Sequence, residues 1–250
     1  MTKTPKEELD RRIKALQAHL SEAKVDGALI VQNADLYYFT GTVPQGWLFV
    51  PPDGHPILFI RKNPNRVRSE TTLEHLFNAR NTRELAGVLA DKGYRKFKRL
   101  GMELDILPVN QHARYAEALN PGEFVDVSPA IQAVRSVKSP FEIAIVRQAA
   151  KLGDHMMRAA RESIKEGMTE LELSARIEMA ARMRGHQGYV RMRSFNAECY
   201  WGPVVSGAAA ATAGERTRPV RSEPPTVALN GSRRRRASNE ASRSPQRSRA

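Results

Sequence analysis

A single cysteine, Cys199, in 250 residues excludes a disulfide framework and any multi-thiolate metal site. No run of eighteen apolar residues occurs, which excludes a helical membrane span. The opening MTKTPKEELDRR carries charge but no apolar h-region, so no secretory signal is expected and a cytoplasmic, reducing compartment fits. The six histidines show neither HxxxH nor HExxH spacing, which argues against a zinc helix. The sixteen glycines are scattered at turns and form no phosphate-cradling loop. Aspartate is absent after Asp154 and histidine after His186, so the last quarter of the chain lacks two residue types that commonly ligate divalent metals.

What is present permits a packed core: 41% of residues are hydrophobic and 27% charged. The formal net charge of +13 is unevenly spread. Residues 208–250 hold ten Arg, no Lys and three Glu, so the first 207 residues carry only +6. The basicity is a property of the tail and says little about the folded part. Beyond Gly207 there is no Lys, Ile, Met, Phe, Trp, Tyr, Asp or His. Such a segment buries too little apolar surface to offset its conformational entropy and is expected to be disordered.

The first segment reads as alternating helices and strands. Thr4, Pro5 and Glu7 predict a capping box with Pro at the first helical position. Leu9, Ile13, Leu16 and Leu20 then form one apolar stripe. Val25–Val31, Trp47–Val50 and Pro56–Ile60 predict strands, the last two joined by the turn Pro51-Pro52-Asp53-Gly54. Asn81–Asp91 and Val109–Leu119 predict helices, and Arg99–Met102 and Phe124–Val127 strands, which together imply an α/β domain with a largely enclosed sheet. Farther on, Ser139-Pro140-Phe141-Glu142 opens a long helix with a stripe through Ile143, Val146, Ala150, Gly153, Met157, Ala160 and Ile164. Thr169 and Glu172 cap a second helix that Gly185 stops.

Four stretches resemble the creatinase/prolidase/aminopeptidase P family of pita-bread metallopeptidases. They are RIKALQAHLSEAKVDGALI (Arg12–Ile30), NADLYYFTG (Asn33–Gly41), read as a turn, VRSVKSPFEIAIVRQAA (Val134–Ala150), and GMTELEL (Gly167–Leu173) followed by Phe195 and Val204-Val205-Ser206-Gly207. The third is the most specific. The resemblance implies a creatinase-like N-terminal domain, a mixed sheet flanked by helices, over residues 1–135. It implies the first helices of an incomplete pita-bread α+β peptidase domain over 136–207, with the Arg/Ser/Pro/Ala-rich tail at 208–250. It further implies metal-dependent hydrolysis of the bond before proline in the parent enzyme, two divalent ions such as Mn²⁺ held by two Asp, one His and two Glu, proline-containing peptides as substrates, and homo-oligomers. Those ligands belong downstream of the segment matching Val204–Gly207, and none can be carried over onto this chain. The abrupt change at Gly207 reads as a high-GC gene translated out of frame, or else as a genuine C-terminal truncation with a scrambled end. The chain is therefore expected to hold no cofactor and to be inactive.

No catalytic residue is assigned. His186, Arg191, Arg193, Phe195 and Tyr200 are weak candidates for lining a substrate cleft, Arg191 and Arg193 as a carboxylate clamp because guanidinium forks suit carboxylates. Each has a plainer reading: a solvated face for the cations, core for the aromatics. Ser206-Gly207 lacks the G-x-S-x-G elbow, and Cys199 lacks an activating partner. Two alternatives stand beside the peptidase reading: a non-catalytic dimerisation or interaction module of the same family, and a non-specific nucleic-acid binder through Arg233–Arg236. The second is disfavoured because the tail has no aromatic to stack a base.

Overall fold

The apolar stripe of the first helix is the natural starting point, because Leu9, Ile13, Leu16 and Leu20 are all buried in α1 (Lys6–Glu22). The computed structural model describes residues 3–188, 190, 192–193 and 204–206. Within it α1 begins one residue later than the sequence predicts. Pro5 is the N-cap, its ψ of 146° is extended, and no side chain caps the helix, so the Thr4–Glu7 box does not form. Proline's fixed φ suits either side of a helix start, and here the extended ψ settles the boundary.

Six strands form one sheet in the order β4-β3-β2-β1-β5-β6. Central β1 (Gly27–Ile30) pairs antiparallel with β2 (Gly46–Val50) and parallel with β5 (Arg99–Met102). The expected hairpin places β2 antiparallel to β3 (Ile57–Ile60), with Trp47 opposite Phe59. Parallel edges follow: β4 (Leu76–Asn78) on β3, and β6 (Glu123–Asp126) on β5. All four residues of β1 are buried, as a strand covered on both faces requires.

Strand alternation divides the core in two. Ala28, Ile30, Leu48, Val50, Leu58 and Ile60 pack on the side of α1, α2 (Asn33–Thr40), α3 (Pro64–Glu70) and α6 (Ser128–Ser136). Leu29, Phe49, Phe59, Leu100 and Met102 pack on the other side, under α4 (Thr82–Asp91) and α5 (Val109–Leu119). The stretch 33–41 is a helix rather than a turn. The Gln32 side chain accepts from the amides of Ala34 and Asp35, and Gly41 closes the helix at φ 72°. Elements α3, β4 and α6 have no counterpart in the sequence reading.

Two units emerge: the described residues through Ile143 together with 192–193, and residues 144–188 and 190 with 204–206. The second holds most of α7 (Pro140–Ser163) and all of α8 (Glu170–Arg182). The capping box of α8 forms as expected, the Thr169 amide donating to Glu172 at 2.8 Å and the Glu172 amide to Thr169 Oγ1 at 3.2 Å. The α7 stripe lies open rather than buried. No residue of α7 is buried, and a Cβ built on Gly153 would meet nothing within 4 Å. The helix has the pattern of a packed element, but Ile143, Val146, Met157 and Ile164 of that stripe are exposed.

Candidate functional site

Polar residues gather at two places in the first unit. One joins α1 to the start of α7. Buried Arg12 donates to Glu8 at 2.7 Å and to the Tyr38 carbonyl at 2.6 Å, pairs with Glu142 at 3.2 Å, and lies 4.1 Å from the Tyr38 ring centroid. Ser139 Oγ donates to Glu8 at 3.0 Å while the Ser139–Glu142 capping box starts the long helix. Burial alone would push the Glu8 carboxyl up, but hydrogen bonds from Arg11, Arg12 and Ser139 outweigh it and hold the group below the usual carboxylate range.

The second cluster sits at the C-terminal ends of β1 and β5, where parallel sheets commonly present functional groups. Glu103, immediately after β5, and Asp35, in the first turn of α2, are both fully buried. Glu103 Oε2 accepts from the amides of Val31 and Gln32 at 2.7 and 2.9 Å. Arg135 from α6 bonds Asp35 Oδ1, and Arg193 Nε donates to Asp35 Oδ2 at 2.7 Å. The other arm of Arg193 bonds Asp105, which also accepts from Ser128 Oγ at 2.6 Å. Burial raises the Asp105 carboxyl, yet Arg193 and Ser128 more than compensate and leave it below its ordinary value. Glu103 goes the other way: burial first, then the hydrogen bond and charge of Asp35, raise it well above the usual range.

These directions set the pH dependence. Glu8 and Asp105 have depressed folded values, so their contribution is present above the unfolded value and lost as pH falls through the folded one. The urea midpoint is expected to drop as pH falls below about 5, and Asp105→Asn is expected to shrink that drop. An unchanged acid limb in Asp105→Asn would contradict the assignment.

Of the sequence candidates, Arg193 and His186 are described, and they fall in different units. Arg193 is engaged by two carboxylates, as above. His186 accepts from the Gly188 amide at 2.9 Å through Nδ1. Arg191, Phe195, Tyr200 and the tail 208–250 lie outside the described residues. Sequence reasoning missed Asp35, Glu103 and Asp105. For Glu103 the available signal was an acid directly after a largely apolar strand, a place where burial makes a carboxylate costly unless it is used.

The family's metal pair finds no support in these residues. Among the described residues no three His, Cys, Asp or Glu could hold a metal ion. Where carboxylates do converge, Arg135 and Arg193 occupy the oxygens of Asp35 and Asp105. A cleft of about 380 Å³ near the hairpin turn, lined by Lys6, Asp10, Lys14, Asp53, His55 and Glu74 among others, mixes both charge signs and likewise gathers no ligand set.

A six-stranded mixed sheet flanked by helices, with arginines paired to a buried acid cluster, defines the first unit as an α/β domain. Residues 12–137 match the creatinase/prolidase N-terminal domain, and residues 144–227 match metallopeptidase family M24. The chain belongs to the creatinase/prolidase family, as its boundary motif implied. It is 26% identical over 178 residues to an Xaa-Pro dipeptidase of Pyrococcus furiosus, covering 71% of this chain and 49% of that protein. An uncharacterized peptidase of Staphylococcus epidermidis is 27% identical over 184 residues, covering 70% and 50%. The prolidase from Pyrococcus horikoshii superposes with a TM-score of 0.62 at 25% identity, over 70% of this chain and 49% of that one. The chain thus spans about half the length of the relatives it matches. The M24 match runs twenty residues past Gly207, beyond the point where the resemblance in the sequence stops.

Proposed function

We propose that this chain supplies the N-terminal half of a metal-dependent Xaa-Pro peptidase and that, as a 250-residue polypeptide, it is catalytically silent. The observation that carries the reading is the succession, in one chain, of a creatinase/prolidase N-terminal match and an M24 match. The Xaa-Pro dipeptidase among its relatives supports the substrate class. On this reading residues 1–135 form the structural domain and residues 136–207 open the peptidase domain. Proline-containing peptides in the cytoplasm are the substrates of the complete enzyme, which works as a homo-oligomer. His186, Arg191, Arg193, Phe195 and Tyr200 are its cleft-side candidates.

Silence follows from ligand chemistry. Hydrolysis by a paired-metal site needs several carboxylates oriented on two cations, with a folded shell behind them. After Gly207 the chain has three Glu among ten Arg, and no Asp or His. Incubation with Mn²⁺, Co²⁺ or Zn²⁺ is expected to leave no stoichiometric metal after desalting, and a Gly-Pro substrate is expected to stay intact. Retained metal together with released proline would overturn the proposal.

A further inference from the structure

The pair Glu103–Asp35 carries more protonation chemistry than its structural setting explains. Glu103 Oε2 has two amide donors, while Oε1 is buried with no hydrogen-bond partner. An ionised carboxylate would leave that oxygen as a buried charge facing no donor, an arrangement native interiors avoid. Asp35 is equally inaccessible, and it is the neighbouring carboxylate that, after burial, raises Glu103. Counting charge gives the same answer. Asp35, Glu103 and Asp105 offer three negative groups, and Arg135 and Arg193 offer two positive ones. The two cations leave one of the three negative charges without an ion-pair partner among the described residues.

We propose that Glu103 Oε1 holds a proton donated to Asp35, and that this proton competes with the Arg193 guanidinium, making the hold on residues 192–193 a pH-sensitive latch. The proton and the guanidinium both neutralise the same buried negative charge. Each therefore weakens the other, and the effect is reciprocal. As Glu103 ionises, Asp35 and Glu103 together attract Arg193 more strongly, so rising pH tightens the latch and falling pH loosens it.

Titratable and charged groups reach this cluster from α2, α6, β6, α5 and the loop after β5. Asp35 comes from α2, and Arg135 from α6 bonds the same aspartate. Asp105 follows on its own loop. Asp126 at the end of β6 accepts from the amides of Leu104 and Ser128 at 3.2 and 2.9 Å. Tyr115 from α5 is within electrostatic reach of Glu103 and donates nothing to it: its hydroxyl accepts from Trp47 Nε1 at 2.7 Å. None of these supplies a donor for Oε1. The device is not a catalytic dyad, because both carboxyls are shut from solvent and a substrate could not reach them.

The test uses the full chain with ¹³C-labelled glutamate side chains, titrated by carboxyl NMR. One glutamate is expected to ionise well above the usual carboxylate range, and that signal is expected to vanish in Glu103→Gln. In Arg193→Gln the midpoint is expected to rise by about one pH unit, since removing a nearby cation disfavours the charged form. The amide protons of Val31 and Gln32, which donate to Glu103, report the same midpoint in the wild-type chain, so the assignment holds even if Glu103→Gln fails to fold. Glutamates that all titrate in the usual range would overturn the shared proton. A raised midpoint that Arg193→Gln leaves in place would overturn the latch.

Discussion

Replacing Arg12 with methionine is expected to destabilise the first unit by about 3–5 kcal/mol, the cost of breaking a buried ion network by removing one partner. Methionine keeps most of the side-chain length, so lost packing is a small part of the effect. What it removes is the cation between Glu8 and Glu142, whose side chains are only 8% and 15% exposed. It also strips the Tyr38 carbonyl of its donor. Arg11 remains within 2.9 Å of Glu8 but is itself 40% exposed, so its compensation is screened. Urea melts check the prediction. A double variant, Arg12→Met with Glu8→Gln, is expected to recover part of the loss, because the uncompensated charge goes with the glutamate. Removing the exposed pair Arg83–Glu117, 3.8 Å apart, is expected to leave the melt unchanged. An Arg12→Met melt matching the wild type would mean that the network is not what fastens α1 to the start of α7.

The strand pattern was legible in the sequence because both faces of the sheet are covered. Short, wholly apolar runs such as Gly27–Ile30 and Ile57–Ile60 have few other places to go. The hairpin turn was legible for the same local reason, with Pro and Asp-Gly supplying its chemistry. Elements α2, α3, β4 and α6 were not, since their signals are set by partners distant in sequence. Residues 33–40 start as a helix because a glutamine side chain caps them, an uncommon choice that capping preferences do not single out. Strand β4 is three residues long, only half-buried, and exists by pairing with β3. The acid cluster was hidden more thoroughly. Asp35 and Arg193 lie 158 positions apart, and nothing in either neighbourhood signals that the folded chain brings them together.

The second unit illustrates the converse, a pattern legible in sequence without its packing. The stripe from Val146 through Met157 to Ile164 has helical spacing, yet these residues are 58%, 66% and 63% exposed. Leu171 and Met179 on α8 are similarly open. Apolar periodicity reports what a helix is shaped to pack against, and about half the length of the matched relatives has no counterpart in this chain.

The largest packing effect is expected at Phe49, where a second substitution distinguishes a cavity from a clash. Phe49 is fully buried, its ring 4.8 Å from that of Tyr94 and 5.7 Å from that of Phe97. Phe49→Ala is expected to cost about 3–5 kcal/mol from lost transfer energy and the cavity left behind. The ring lies over Gly27, its diagonal neighbour on β1, so closely that a Cβ there would sit 2.5 Å from Phe49 Cε2 and Cζ. Gly27→Ala alone is therefore expected to cost about 1–3 kcal/mol through overpacking, since a ring held between Tyr94 and Phe97 has little room to give. With the ring gone, the same alanine meets no clash and fills part of the space. The double variant Gly27→Ala/Phe49→Ala is expected to be more stable than the sum of the singles by about 0.5–3 kcal/mol, the range for residues in direct contact. Thermal or urea melts of the four proteins measure this coupling. Strict additivity would show that β1 shifts to accommodate the extra methyl, and that the glycine is not what lets the aromatic layer close on the sheet.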